Sequence, residues 1–218
     1  MSESINWKNH FIELLVVIVG ITAAFALNTW QENRKNSQKE ALYIQSLIKD
    51  IESDIKALEV SAKVVSDNLR AVKRLDYLIR HERLTHDSTG SYAANMFIVA
   101  KFAPQNMTYE SLKSTGSIEL IRSFELKKQI SALYNFYDEI ATVEKVFNDF
   151  LNQYIIPFFY EHVDFRTLDA MDPRLLRMTK FSNIVVGYLA AADQEKRAYE
   201  QSAEKCKTLL TNLHKQNP

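Results

Sequence analysis

The sequence predicts an all-α protein: an N-terminal transmembrane helix that continues into an antiparallel bundle of three long helices, with short helices connecting them. Three observations carry that expectation. Only four glycines and four prolines occur in 218 residues, where average usage would give roughly 26, and tight turns between strands need both. A run without charge, Leu14 to Leu27, lies near the N-terminus. Beyond it, apolar residues recur at alternating spacings of four and three, the seam of helices packed side by side. The 27 basic and 27 acidic residues balance, which removes any global electrostatic case for nucleic acid. A single cysteine excludes a disulfide framework and a Cys-rich zinc site.

The chain divides into a tail (1–10), a transmembrane helix (11–30) and a bundle domain (31–218) with long helices over about 31–83, 123–156 and 173–214. Twenty helical residues from Phe11 to Trp30 span roughly 30 Å, the thickness of a hydrocarbon core. Trp7 and Trp30 flank the span, and Arg34 and Lys35 follow it, placing amphipathic rings and cations at the two interfaces. A signal peptide is a competing reading, since Ala24-Phe25-Ala26 has the small-x-small pattern of a cleavage site. A buried core helix is a third. Helical character continuing through residues 31–41 favours the uncleaved anchor. Lys8 against Arg34, Lys35 and Lys39 is a positive-inside count that places the bundle in the cytoplasm. Projected at 100° per residue, Glu13, Gly20, Ala24 and Asn28 share one sector. Gly20 and Ala24 form a small-xxx-small pair that lets two backbones approach, and Asn28 can hydrogen-bond across such an interface. The competing reading is ordinary membrane-helix composition, with Glu13 reaching the headgroups.

The first long helix carries the seam Ile44, Ile48, Ile51, Ile55, Leu58, Ala62, Val65, Leu69 and Val72, broken at Asp76 and shifted through Leu75, Leu78 and Ile79. Residues 85–90 read as a loop. A short helix is expected over Tyr92 to Phe102, stopped before Pro104, and another over Asn106 to Ser114, with Gly116 at its left-handed terminus. The second long helix starts after Ser123 with the stripe Leu126, Ile130, Leu133, Tyr137, Ile140, Phe147, Leu151 and Tyr154, interrupted by Glu144 and ended or kinked at Pro157. Asp172-Pro173 is a start signal for the last helix. Its seam is Phe181, Val185, Tyr188, Ala192, Glu195, Tyr199, Ser202, Cys206, Leu209 and Leu213, beside which Gly187 permits a close helix approach.

Two segments carry a resemblance. One is Ile12-Glu13-Leu14-Leu15-Val16-Val17-Ile18-Val19-Gly20-Ile21, with Asn28, Trp30, Glu32, Asn33, Arg34 and Lys35. The other is Thr108-Tyr109-Glu110-Ser111-Leu112-Lys113-Ser114-Thr115-Gly116, followed by Leu120 and Ile121. Together they resemble an uncharacterised bacterial family of single-pass membrane proteins, catalogued as a domain of unknown function. The resemblance implies a bacterial inner-membrane anchor. It also implies a periplasmic bundle, against the charge count, because relatives carry longer basic tails. It supplies no activity, ligand or catalytic residue.

Candidate chemistry is sparse. His81, Glu82, His86 and Asp87 cluster, but His-Glu-x-x-x-His is one residue too long for the zinc-protease motif. Glu161, His162 and Asp164 lack the Glu-x-x-His pairs of a di-iron bundle. Glu144 and Glu195 stand at seam positions, either as buried functional carboxylates or, more commonly, as seam-edge residues that reach water or fix register. Cys206 reads as a buried inert thiol. Thr108 to Gly116 is either a ligand loop or a helix connection whose Ser and Gly serve caps. Phe158, Phe159, Tyr160 and Phe165 read as bundle-end packing. The sequence therefore predicts no catalytic residue, cofactor or metal. It predicts a non-enzymatic protein whose partners are the bilayer and a second copy or another membrane protein; the alternative is a ligand-sensing bundle that signals through the anchor.

Overall fold

The computed structural model describes residues 7–81, 89–163 and 172–216. Helix α1 is continuous from Trp7 to Arg80, about 111 Å at 1.5 Å per residue. Its N-terminal part is apolar, exposed and, by length and composition, able to cross a membrane. Burial begins with Ile44 and Leu47, where the bundle starts. The seam read from spacing is found: Ile44, Ile48, Ile51, Leu58, Val65, Leu69 and Val72 are buried, and Ile55 and Ala62 are partly so. Around Asp76 the shifted stripe Leu75 and Leu78 takes over.

Helix α2 covers Thr89–Ala94 and a 3-10 turn Asn95–Phe97. Helicity stops there, so the helix expected to reach Phe102 is five residues shorter, and residues 98–106 form an irregular strap. Two physical reasons act together. The β-branched pair Ile98-Val99 and the approaching Pro104 disfavour helix, and neighbouring helices offer the strap other hydrogen-bond partners. Helix α3, Met107–Ser114, follows, and Gly116 adopts φ 68°, the left-handed terminus foreseen for it. A 3-10 turn, Ser117–Leu120, leads to α4, Phe124–Phe150, whose N-cap Ser123 accepts from Leu126 N–H.

The second long helix does not end near residue 156. One π-helical turn, Leu151–Ile155, joins α4 to α5, Ile156–His162, with Pro157 in the first turn of α5 where its missing N–H costs nothing. The extra residue per turn shifts the buried face, so Ile155 is buried and Tyr154, placed on the stripe by spacing, is half exposed. Asp172 does cap a helix at Pro173, but that helix, α6, stops at Leu176; the last long helix, α7, runs from Thr179 to Gln216. Gly187 admits the Phe150 ring, which stands 2.7 Å from where a Cβ would be.

The long helices α1, α4 with α5, and α7 pack as a bundle. Contacts fix their directions. Arg122 N–H donates to Glu40 and Tyr137 O–H to Asp54, so α4 runs in the same sense as α1. Tyr199 meets Glu144 and Phe181 meets Phe158, so α7 runs antiparallel to both. The strap and α3 return the chain along α1 to make this possible.

Candidate functional site

The polar interior of the bundle is its most unusual region. Leu47, Asp54, Ser61, Asn68 and Leu75 stand at heptad spacing on α1 and are all buried. The middle three face the strap. Asn68 Nδ2 donates to Ile98 O at 2.8 Å, Ser61 Oγ to Lys101 O at 3.2 Å, and Gln105 N–H donates to Asp54 Oδ1 at 2.8 Å. Seven helical residues advance about 10.5 Å, which the strap covers with three residues from Ile98 to Lys101 (about 9.9 Å extended) and with four from Lys101 to Gln105, whose extended reach of about 13 Å leaves slack. From α4, Glu144 Oε1 accepts Phe102 N–H at 2.7 Å and Tyr134 O–H donates to Gln105 O at 3.2 Å. A buried backbone needs partners, and here side chains supply what a helix or sheet would.

Two hydrogen-bonded chains cross the core behind the strap. In the first, Tyr137 O–H donates to Asp54 Oδ2 at 3.0 Å and its oxygen lies 3.1 Å from Cys206 Sγ. In the second, Tyr199 Oη lies 2.7 Å from Glu144 Oε1 and 3.2 Å from Glu195 Oε1. Tyr137 and Glu144 are one heptad apart on α4, as are Tyr199 and Cys206 on α7. Burial pushes the Asp54 carboxyl up to about 6, aided by the like charge of Asp50 and opposed by Gln105 and Tyr137. Burial likewise pushes Glu195 up to about 7, with Glu144 adding to it and Tyr199 opposing. Burial raises the Cys206 thiol to about 11, and raises Tyr134, Tyr137, Tyr188 and Tyr199 well above the usual phenol range. The thiol is therefore protonated and enclosed, consistent with an inert cysteine. Glu144 and Glu195 do not reach water at a seam edge; both are buried.

The residues singled out from sequence fall elsewhere. Glu13, Gly20, Ala24 and Asn28 are exposed along α1, and nothing lies within 4 Å of a Cβ built at Gly20. Trp7 and Trp30 are exposed, with the Arg34 guanidinium 5.7 Å from the Trp30 ring and Lys35 exposed beside it. In the turn motif, Tyr109, Leu112 and Ile121 are buried, Thr108 and Leu120 are partly so, and Ser114 and Gly116 are exposed. Tyr109 stacks on Tyr134 at 4.0 Å. Ser114 and Thr115 hydroxyls donate back to Ser111 O, so this segment behaves as a capped helix connection. His81 packs on Tyr77, while Glu82, His86 and Asp87 lie outside the described residues. Glu161 is within 3.8 Å of Lys180, and Asp164 and Phe165 are outside the described residues. Phe158 and Phe159 pack against Phe181, while Tyr160 is exposed. Among the described residues no three His, Cys, Asp or Glu side chains converge to hold a metal.

A groove of about 600 Å³ lies between α1 and α7. Its charged walls are already paired, Lys63 and Arg70 with Asp67 and Lys207 with Glu59. It therefore presents no free charge of one sign to a ligand. Glu144, Glu195 and Cys206 stand out singly in the sequence, whereas Asp54, Ser61 and Asn68 are missing from that reading, their heptad spacing beside the apolar seam being the available signal.

In comparison with known proteins, the profile of a family of unknown function, DUF6090, matches residues 13–156. That stretch runs from the apolar part of α1 into α5 and leaves α7 outside. No curated protein matches, and no solved structure matches.

Proposed function

The chain belongs to the DUF6090 family of unknown function, and we propose that it is a membrane-anchored, non-catalytic helical scaffold that self-associates through its N-terminal helix. One observation carries the reading: the apolar part of α1 is wholly exposed while the same helix, without a break, forms a wall of a well-packed bundle. Exposed apolar surface on that scale needs a cover, and a bilayer supplies it. Trp7 and Trp30 would stand at the two interfaces, with Arg34 and Lys35 among headgroups. The open Gly20 and Ala24 face suits a second copy of the same helix, with Asn28 bonding across. The protein would sit in a bacterial inner membrane with the bundle on the periplasmic side, as the family resemblance implies.

Alkaline extraction of native membranes tests the anchor: release of the chain into the soluble fraction would refute it. Crosslinking in membranes tests self-association. Dimer from the native chain, and its loss in Gly20→Leu, is the outcome expected; purely monomeric behaviour of both chains refutes it.

A second reading is a sensor that passes a change in the bundle to the anchor. The observation favouring it is the strap, held by buried titratable side chains instead of regular secondary structure. A thermal-shift screen in which no small molecule stabilises the chain would count against a ligand sensor.

A further inference from the structure

The second hydrogen-bonded chain has a proton count that its geometry imposes. Tyr199 Oη contacts both Glu144 Oε1 at 2.7 Å and Glu195 Oε1 at 3.2 Å, but a phenol carries one hydrogen. The shorter contact takes it. Glu144 Oε1 is also the acceptor of Phe102 N–H, so this oxygen collects two donors. The contact between Tyr199 and Glu195 then has a hydrogen only if Glu195 supplies it, as a carboxylic acid donating to the phenol oxygen. Glu195 is 1% exposed, so bulk solvent does not supply the missing hydrogen.

The surroundings agree. From α7, Tyr199 and Tyr188 face Glu195; from α4, Glu144 does; α1 contributes the neutral Asn68 beside Tyr188. The neighbouring Lys196 is held by Glu200. No Lys, Arg or His among the described residues forms an ion pair with Glu144 or Glu195, so no cation compensates two charges there. Burial and the charge of Glu144 both favour the protonated acid.

We propose that Glu195, Tyr199 and Glu144 form a proton-binding site that holds the strap, residues 98–106, on the bundle. With the proton bound, a directed chain runs from Glu195 through Tyr199 and Glu144 to Phe102 N–H. When Glu195 loses it, one phenol hydrogen is left between two carboxyl oxygens, and the charge buried on Glu195 requires water. Water enters where the wall is not a hydrogen-bonded helix, and that wall is the strap. The site binds a proton reversibly; no covalent or redox step is involved. The inference is independent of self-association, because every group in it belongs to one chain.

Hydrogen exchange of the full chain in lipid nanodiscs tests it, with protection factors corrected for intrinsic rates. Between pH 6 and 8 the Phe102 and Gln105 amides lose about tenfold in protection beyond any loss in the α4 amides, the change that one pKa unit produces. Glu195→Gln keeps a donor to Tyr199 without a titrating group, and its strap protection falls over the same range by no more than about twofold, the share that Asp54 contributes. Strap protection that does not fall in the native chain, or that falls equally in Glu195→Gln, overturns the proposal. Carbon-13 titration of the native Glu195 carboxyl is a second readout that needs no variant: a midpoint below pH 5 overturns it, and one near pH 7 supports it.

Discussion

Raising the pH from 5 to 8 destabilises the bundle, the reverse of what salt-bridged carboxylates produce. Folding lifts Glu195 from 4.5 to about 7 and Asp54 from 3.8 to about 6. A carboxyl raised in the folded state binds its proton more tightly there than when unfolded, so it stabilises the fold at low pH. That stability is fully present below pH 4 and is lost as pH rises through the folded values. At 1.36 kcal/mol per pKa unit, the loss between pH 5 and 8 is about 3 kcal/mol from Glu195 and about 1 kcal/mol from Asp54, about 4 kcal/mol together. Both groups are only 1% exposed, so solvent screening does not erode the figure. Urea unfolding of the detergent-solubilised chain at pH 5, 6, 7 and 8 measures it, followed by far-UV circular dichroism. Both tryptophans lie on the exposed N-terminal part of α1, and their fluorescence would not report on the bundle. Glu195→Gln reduces the loss to about 1 kcal/mol, the Asp54 share. A midpoint that is flat or rises between pH 5 and 8 refutes the reasoning.

Two further outcomes follow from single contacts. Asn68→Ala leaves the Ile98 carbonyl without its donor and costs about 1–3 kcal/mol; limited proteolysis registers it as faster cleavage within residues 98–106, and an unchanged rate counts against the strap's dependence on this bond. Gly187→Ala gains about 1 kcal/mol of helix propensity but forces the Phe150 ring aside, which costs about 1–3 kcal/mol. The net loss of about 1 kcal/mol reads as a lower urea midpoint and disappears in a Phe150→Leu background.

The long helices were legible because their information is local. The four-three spacing from Ile44 to Val72 reports one face of one helix, and Ser123, Gly116 and Asp172 act on backbone within three residues. The strap was not legible. Its partners are 29 to 51 residues away in sequence, and no local rule says that Ser61 will donate to Lys101 or that Glu144 will accept from Phe102. The π turn escaped for a related reason: a stripe extrapolated at constant pitch reaches Tyr154, and the extra residue in one turn hands that place to Ile155. Asp172-Pro173 signalled a start correctly but carried no information on length, so α6 was merged with α7. At the site, Glu144 and Glu195 were visible as charges out of pattern. Their joining through Tyr199 depends on the antiparallel register of α4 and α7, which the spacing of either helix alone does not contain.

Between Gly20 and Arg80, α1 has neither glycine nor proline, the two residues that most often kink a helix. Asp54 stands about 36 Å along the axis from Trp30, at 1.5 Å per residue. A rod of this kind has no hinge at which to lose a torque. Turning residues 11–30 about the helix axis turns Asp54, Ser61 and Asn68 through the same angle. Sliding the rod by one residue moves all three by about 1.5 Å, more than a hydrogen bond of ordinary length tolerates. The strap bonds to those three residues, so a movement of that size along the axis breaks its bonds to all three at once.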